Sequence, residues 1–280
     1  MKKILVPTDF SDQAGYALEA AYHIAKKSDA SLVILHVIED STITSVHYTG
    51  EIDIPNMEDR LFMMKLIEKG KKDMADICAS RYGDTIIEQE LRIGSPYHNI
   101  KDIINEHEVD MVVMGTKGSS GLEEFLIGSN AEKVVRHAPC PVITIHRQLS
   151  GFDFNEIVYA TALDEQEESC ISTVKIFQEL YGATLHLVRI NTPNNFRSDR
   201  YVRPEMEEFA KRCGLSNYKL HVFNEVTEEE GIIYFAESIN ADMIAMATHG
   251  RTGLAHLLTG SIAEDVVNHT ERPVLTYVMK

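Results

Sequence analysis

The sequence predicts an α/β fold made of two tandem domains, each an open five-stranded parallel sheet with helices on both faces. Three observations predict it. The chain repeats itself, apolar runs of strand length alternate with helical periodicity in each half, and glycines cluster where a strand hands over to a helix. At 280 residues the chain is long for one α/β core and comfortable for two of about 140.

The repeat is direct. Residues 114–142 and 246–274 align without a gap and share 15 of 29 positions, including Gly118/Gly250, Gly121/Gly253, Gly128/Gly260, Ser129/Ser261 and Glu132/Glu264. Residues 4–8 pair with 157–161 at an offset of 153, which drops to 132 by the later alignment. The first half therefore holds 21 extra residues after Val37, assigned to the polar stretch 39–60 that carries Gly50 and Pro55. The domains read as 1–150 and 151–280, with the boundary near Ser150-Gly151.

In the first half, 4–7 is strand-like, and Ser11 is an N-cap for a helix with Ala14, Leu18, Ala21, Ile24 and Ala25 inward. Residues 31–38 form a continuous apolar run typical of a parallel strand buried on both faces. A long helix is expected over 58–82, with Leu61, Met64, Ile67 and Met74 at helical spacing, and the methionines at 57, 63, 64 and 74 read as core filler. A third strand follows at 85–93, a helix at 99–107, a fourth strand at 110–114, a helix at 129–137 and a last strand at 142–146. In the second half Glu228-Glu229-Glu230 reads as an acidic first helical turn. In such sheets ligands bind at the carboxyl ends of the strands, at the topological switch point.

The net charge of −16 argues against a nucleic-acid partner and against an anionic membrane surface. No apolar run reaches the roughly 20 residues of a membrane span, and the N-terminus reads as a first strand, which suggests a soluble cytoplasmic protein. Cys78, Cys140, Cys170 and Cys213 are widely spaced and read as reduced thiols. The histidines are scattered, with His36 and His186 in strand-like runs and His137 and His269 at helix C-termini. No metal-binding or nucleophile–base pattern emerges.

The chemistry concentrates where the fourth strand ends. Gly115-x2-Gly118-x9-Gly128-Ser129 follows Val112-Val113-Met114, and Gly128-Ser129 open a helix. Glycines let a backbone approach a phosphate chain, and a helix start offers unpaired N–H groups and a positive dipole end. Such a site works by backbone amides, so an acidic chain can build it. The same glycines also fit tight turns and close packing, and Gly121, outside the spacing, reads as a turn residue.

These segments, ILVPTDFS, LHV and MGTKGSSGLEEFLIGSNAEKVV, resemble the universal stress protein family, as two family domains in tandem. The resemblance implies a Rossmann-like, adenine nucleotide alpha hydrolase-like fold, with the domains joined through their last strands into an intrachain pseudo-dimer. It implies that the first domain binds ATP, with Mg²⁺. Asp9 and the backbone at Pro7, Thr8 and Val37 would then contact adenine and ribose, and Met114 and Gly115 would line the ribose side. Gly118, Gly128, Ser129 and the Asn130 amide would cradle the phosphates. The second half departs from the pattern: Ala162 stands for Asp9, Ala160 for Pro7 and Ala247 for Gly115, while Gly250, Gly260 and Ser261 remain. A functional first site and a weak or vacant second one are expected.

Ser119 and Lys117 stand where the second half has Arg251 and His249, and Lys117 fits a phosphate contact or a solvated loop charge equally. The family reading is a cytoplasmic stress-response binding module, with 39–60 as a possible lid and further homodimerisation open. The alternatives are a slow ATPase, for which no dedicated general base stands out, and a dimerisation scaffold that binds no nucleotide.

Overall fold

The computed structural model describes residues 1–39, 57–81, 85–116, 127–249 and 262–279. The first half runs β1 (Lys3–Thr8), α1 (Asp12–Ser28), β2 (Ser31–Ile38), α2 (Met57–Arg81), β3 (Ile87–Ile93), α3 (Pro96–Glu106), β4 (Met111–Gly115), α4 (Ser129–His137) and β5 (Val142–Ile145). The second runs β6 (Glu156–Ala160), a 3-10 turn (Glu165–Glu167), α5 (Glu168–Tyr181), β7 (Thr184–Asn191), α6 (Asp199–Arg212), β8 (Tyr218–Asn224), α7 (Glu228–Ser238), β9 (Met243–His249), α8 (Ile262–His269) and β10 (Val274–Met279). No helix among the described residues is long and apolar enough to cross a membrane.

The strands merge into one ten-stranded sheet in the order β3-β2-β1-β4-β5-β10-β9-β6-β7-β8. Every neighbouring pair is parallel except β5 with β10. There Val142 faces Thr276, Ile143 faces Leu275 and Thr144 faces Val274. Since 132 separates counterparts, this register is its own mirror, and a pseudo-twofold axis passes through the Ile143–Leu275 pair. Thr144 Oγ1 donates to the Val274 carbonyl and Thr276 Oγ1 to the Val142 carbonyl, both at 3.4 Å. These are equivalent bonds in a seam where both hydroxyls are buried.

Local chemistry explains the elements nearest the site. Ser11 Oγ accepts the Ala14 amide at 3.3 Å, and α1 stops where Asp29 turns left-handed at φ 56. All five residues expected inward on α1 are buried. The α3 helix begins three residues before the sequence expectation, because Ser95-Pro96 is itself a start signal with proline at the first turn. One apolar cluster, fed by α1, α5 and α6, runs under both halves of the sheet. Two further clusters on the other face serve the first domain with α3 and α4 and the second with α7 and α8.

Two expectations are corrected. The extra residues of the first half do not all lie in 39–60, since α2 has 25 residues and its counterpart α6 has 14. The expected inward face of α2 is also only partly inward. Met74 is buried, whereas Met57, Leu61 and Met64 are more than half exposed. A 25-residue helix is about 37 Å long and the seven-residue β3 about 23 Å. The first turns of α2 therefore overhang the carboxyl edge of the sheet, out of reach of its core. Of the stretch read as a lid, residues 40–56 lie outside the described residues.

The connection from β5 to β6 is packed rather than free. The Phe152 ring stacks on His23 at 3.8 Å, and Phe154 is buried against Phe177 and Tyr181. The four cysteines are unbridged, with Cys140 and Cys170 buried.

At the far edge of the second domain, Glu156 Oε2 holds His186 Nε2 at 2.5 Å, and His186 Nδ1 lies 3.1 Å from His221 Nε2. Burial first, and then His186, push the His221 imidazole down to about 4. An unfolded histidine titrates near 6.5, so between 6.5 and 4 the unfolded chain takes up a proton that the folded chain refuses. The stability present above pH 6.5 is therefore lost as pH falls towards 4. With His221 only half-buried, the expected loss is about 1–2 kcal/mol. Urea midpoints measured against pH should show this slope, and His221→Gln should flatten it.

Candidate functional site

The sheet places β2, β1 and β4 side by side; the chain steps outward from β1 through β2 to β3, and α3 then crosses back to β4 on the other side of β1. This makes the carboxyl end between β1 and β4 the switch point of the first domain. Half-buried Pro7 and buried Thr8 end β1, half-buried Val37 lies on β2, and buried Met114 with half-buried Gly115 end β4. Exposed Asp9 follows β1 directly. The α4 start, with Gly128 as N-cap, exposed Ser129 and half-buried Asn130, follows β4. The fold thus brings nine of the ten expected residues to one edge. Gly118 lies outside the described residues, as do Lys117, Ser119, Gly121, Gly250, Gly260 and Ser261.

The β1–α1 turn is shaped by its own side chains. Thr8 Oγ1 accepts the Phe10 amide at 3.1 Å and stabilises Phe10 at φ 64, a conformation seldom adopted without glycine. Asp9 Oδ1 accepts from the Ser11 amide at 3.1 Å and from Ser11 Oγ at 2.6 Å. His36, a histidine of the β2 strand, also belongs here. Its Nδ1 lies 2.9 Å from the Thr8 carbonyl and its ring packs 4.4 Å from Phe10. The available signal was its position beside Val37 at the end of β2.

The glycines of the motif separate into two kinds. A Cβ on Gly115 would sit 2.8 and 2.9 Å from the backbone of Gln13, so this glycine lets α1 pack against β4. Gly128 has φ −61 and ψ 144, open to any residue, so backbone conformation does not explain it. Its amide donates to the Thr116 carbonyl at 2.7 Å, and the first bond of the α4 ladder is Glu132 N–H to the Gly128 carbonyl at 2.9 Å. The amides of Ser129, Asn130 and Ala131 precede that bond and lack intrahelical acceptors. Together with the helix dipole they make a positive corner beside the crevice.

The universal stress protein family model matches residues 1–146 and 153–277. The chain belongs to this family. A universal stress protein relative from Staphylococcus haemolyticus is 35% identical over 155 residues, covering 55% of this chain and 89% of the relative. One from Staphylococcus aureus (strain USA300) is 32% identical over 169 residues, covering 60% and 98%. The solved universal stress protein from Archaeoglobus fulgidus superposes with a TM-score of 0.77 at 20% identity, covering 98% of this chain and 97% of that one. A Pseudomonas aeruginosa structure superposes at 0.70 and 20% identity, covering 100% and 94%. At that identity the two structures bear on the fold alone.

The second family domain keeps the turn and changes the corner. Thr161 Oγ1 accepts the Leu163 amide at 2.9 Å, and Leu163 has φ 68, repeating Thr8 and Phe10. Ala162 replaces Asp9, however, and Glu167 stands where the first domain has Ala14. The Glu167 carboxylate is buried and accepts from Thr161 Oγ1 at 2.7 Å, Ala162 N–H at 2.9 Å, Tyr159 Oη at 3.0 Å and Asp164 N–H at 3.1 Å. Donors at the strand end are thereby spent inside the fold. Beneath it, burial pushes the Tyr159 hydroxyl well up and the Cys170 thiol up to about 12, so both stay protonated. The second domain also starts its helix through the 3-10 turn, with Gln166 in place of Gln13 and Ala247 in place of Gly115.

Two substitutions test this division. Gly115→Ala should cost about 1–3 kcal/mol, because helix backbone rather than a movable side chain stands in the way, and a thermal melt should reveal it. Glu167→Ala leaves two buried hydroxyls and two part-buried amides without their acceptor and should cost about 2–4 kcal/mol in urea denaturation. Unchanged stability would mean that water replaces the carboxylate.

Proposed function

We propose that the first domain binds ATP at the switch point between β1 and β4, and that the chain is a cytoplasmic regulatory binding module rather than a dedicated enzyme. The observation that carries this reading is Gly128. Its glycine is not required by its dihedral angles, and it opens a helix that follows β4 and whose first amides lack intrahelical acceptors. Asp9 and the Pro7–Thr8 backbone would hold adenine and ribose with Val37, while Met114 and Gly115 line the ribose side. Gly118, Gly128, Ser129 and Asn130 would hold the phosphates.

Magnesium would enter with the nucleotide. Among the described residues no group of three or more His, Cys, Asp or Glu is arranged to hold a metal ion. Mg²⁺ bound mainly by phosphate oxygens and water needs no such cage. In the second domain, the Glu167 carboxylate that gathers the donors of the β6–α5 turn supports a weak or vacant site.

Isothermal titration of ATP with Mg²⁺ into the full chain should give one site per chain. Asp9→Ala should weaken binding about ten-fold, and Gly128→Ala should weaken it without a matching loss of thermal stability. Two equivalent sites would overturn the asymmetry between domains, and no binding would overturn the nucleotide reading.

A further inference from the structure

The residue that leads into the phosphate-side corner is held by the other domain. Ile127 N–H donates to Asn268 Oδ1 at 2.8 Å, across 141 residues of sequence. The half-buried Ile127 side chain packs against the apolar clusters of both domains. The next amide, Gly128 N–H, donates at 2.7 Å to the Thr116 carbonyl of its own domain. Two consecutive amides are thus pinned to opposite domains, and together they set where α4 begins. On the same face of the sheet, Arg136 of α4 grips Glu264 of α8 with two bonds, one of them Nη2 to Oε2 at 2.5 Å.

The support does not follow the pseudo-twofold axis. The counterpart of Asn268 is Arg136. A guanidinium only donates, so it cannot accept an amide from the second domain's loop as Asn268 does from the first. Arg136 instead meets Glu264 and, at 3.4 Å, Glu132. The bond runs one way, from the second domain to the entrance of the first domain's glycine corner.

We propose that Asn268 is a positioning residue for the phosphate corner of the first domain, so that the nucleotide site senses the interdomain seam. The proposal rests on the nucleotide reading above. With both amides pinned, the Ser129, Asn130 and Ala131 donors stand ready before the ligand arrives, and binding does not have to fix where α4 begins. Linkage is reciprocal, so phosphate bound there tightens the α4–α8 contact in turn. This gives the second domain a use that does not require it to bind nucleotide.

The test compares ATP with Mg²⁺ against adenosine, titrated into the full chain and into Asn268→Ala and Asn268→Leu. The leucine variant keeps the volume and removes the acceptor, which guards against a cavity or a folding defect in the alanine variant. Thermal melts accompany each titration. The expected result is ATP affinity about five-fold weaker in both variants, with adenosine affinity unchanged, because only the phosphates meet the corner. Equal weakening of ATP and adenosine would indicate a general structural loss and overturn the proposal. Unchanged ATP affinity would overturn it as well. If the unmodified chain binds no ATP, the nucleotide reading fails and takes this proposal with it, an outcome distinguished by appearing before any substitution is made.

Discussion

Everything in this molecule hangs on the antiparallel pairing of β5 with β10. Either five-stranded sheet alone would end in a bare strand, with a row of unpaired N–H and C=O groups inviting a foreign edge. Pairing the two ends removes both liabilities and makes one sheet of ten strands. Because Ile143 faces Leu275 at the centre of a self-mirroring register, the two halves are related by rotation about that pair. The rotation puts α1 and α5 on one face and brings α4 beside α8 on the other, where Arg136 meets Glu264. The seam is therefore a structural closure that also sets Asn268 within hydrogen-bond reach of the entrance to the first domain's glycine corner.

Duplication followed by divergence explains the unequal halves. The Thr8/Phe10 and Thr161/Leu163 turns are the same device, a threonine hydroxyl holding the amide of a left-handed residue. The difference is what sits beneath. In the first domain small Ala14 stands at that position, and the turn is held by its own Thr8, Asp9 and Ser11 side chains. Glu167 in the second domain draws the turn inward and gathers four donors on one buried carboxylate. A buried carboxylate is tolerated only when satisfied in this way, so the β6–α5 turn is tied to the core beneath it.

The sequence by itself determined the fold class, the duplication and the glycine motif, because these depend on period and spacing. Continuous apolar runs read as buried parallel strands, Ser11 as a cap, and the identities between 114–142 and 246–274 as a repeat. The strand order then needed only the rule that ligands gather at carboxyl ends, which brought Pro7, Thr8, Asp9, Val37, Met114 and Gly115 to a single edge. Family resemblance supplied the roles proposed for these residues, which composition and spacing could not.

What only the tertiary structure decided involves distances between segments far apart in sequence. Nothing local shows that α2 outruns β3, so Leu61 and Met64 carry core periodicity and yet overhang the sheet edge. The role of Gly115 depends on the backbone of Gln13, about a hundred residues earlier, and is invisible from its own neighbours. Glu167 belongs to no sequence motif, and only the fold brings its carboxylate to Tyr159 and Thr161. Asn268 carries no motif at all, and it matters only because rotation about Ile143–Leu275 sets its amide oxygen against Ile127. Periodicity is written locally and survives in the sequence, whereas a hydrogen bond across two domains exists only once both have packed.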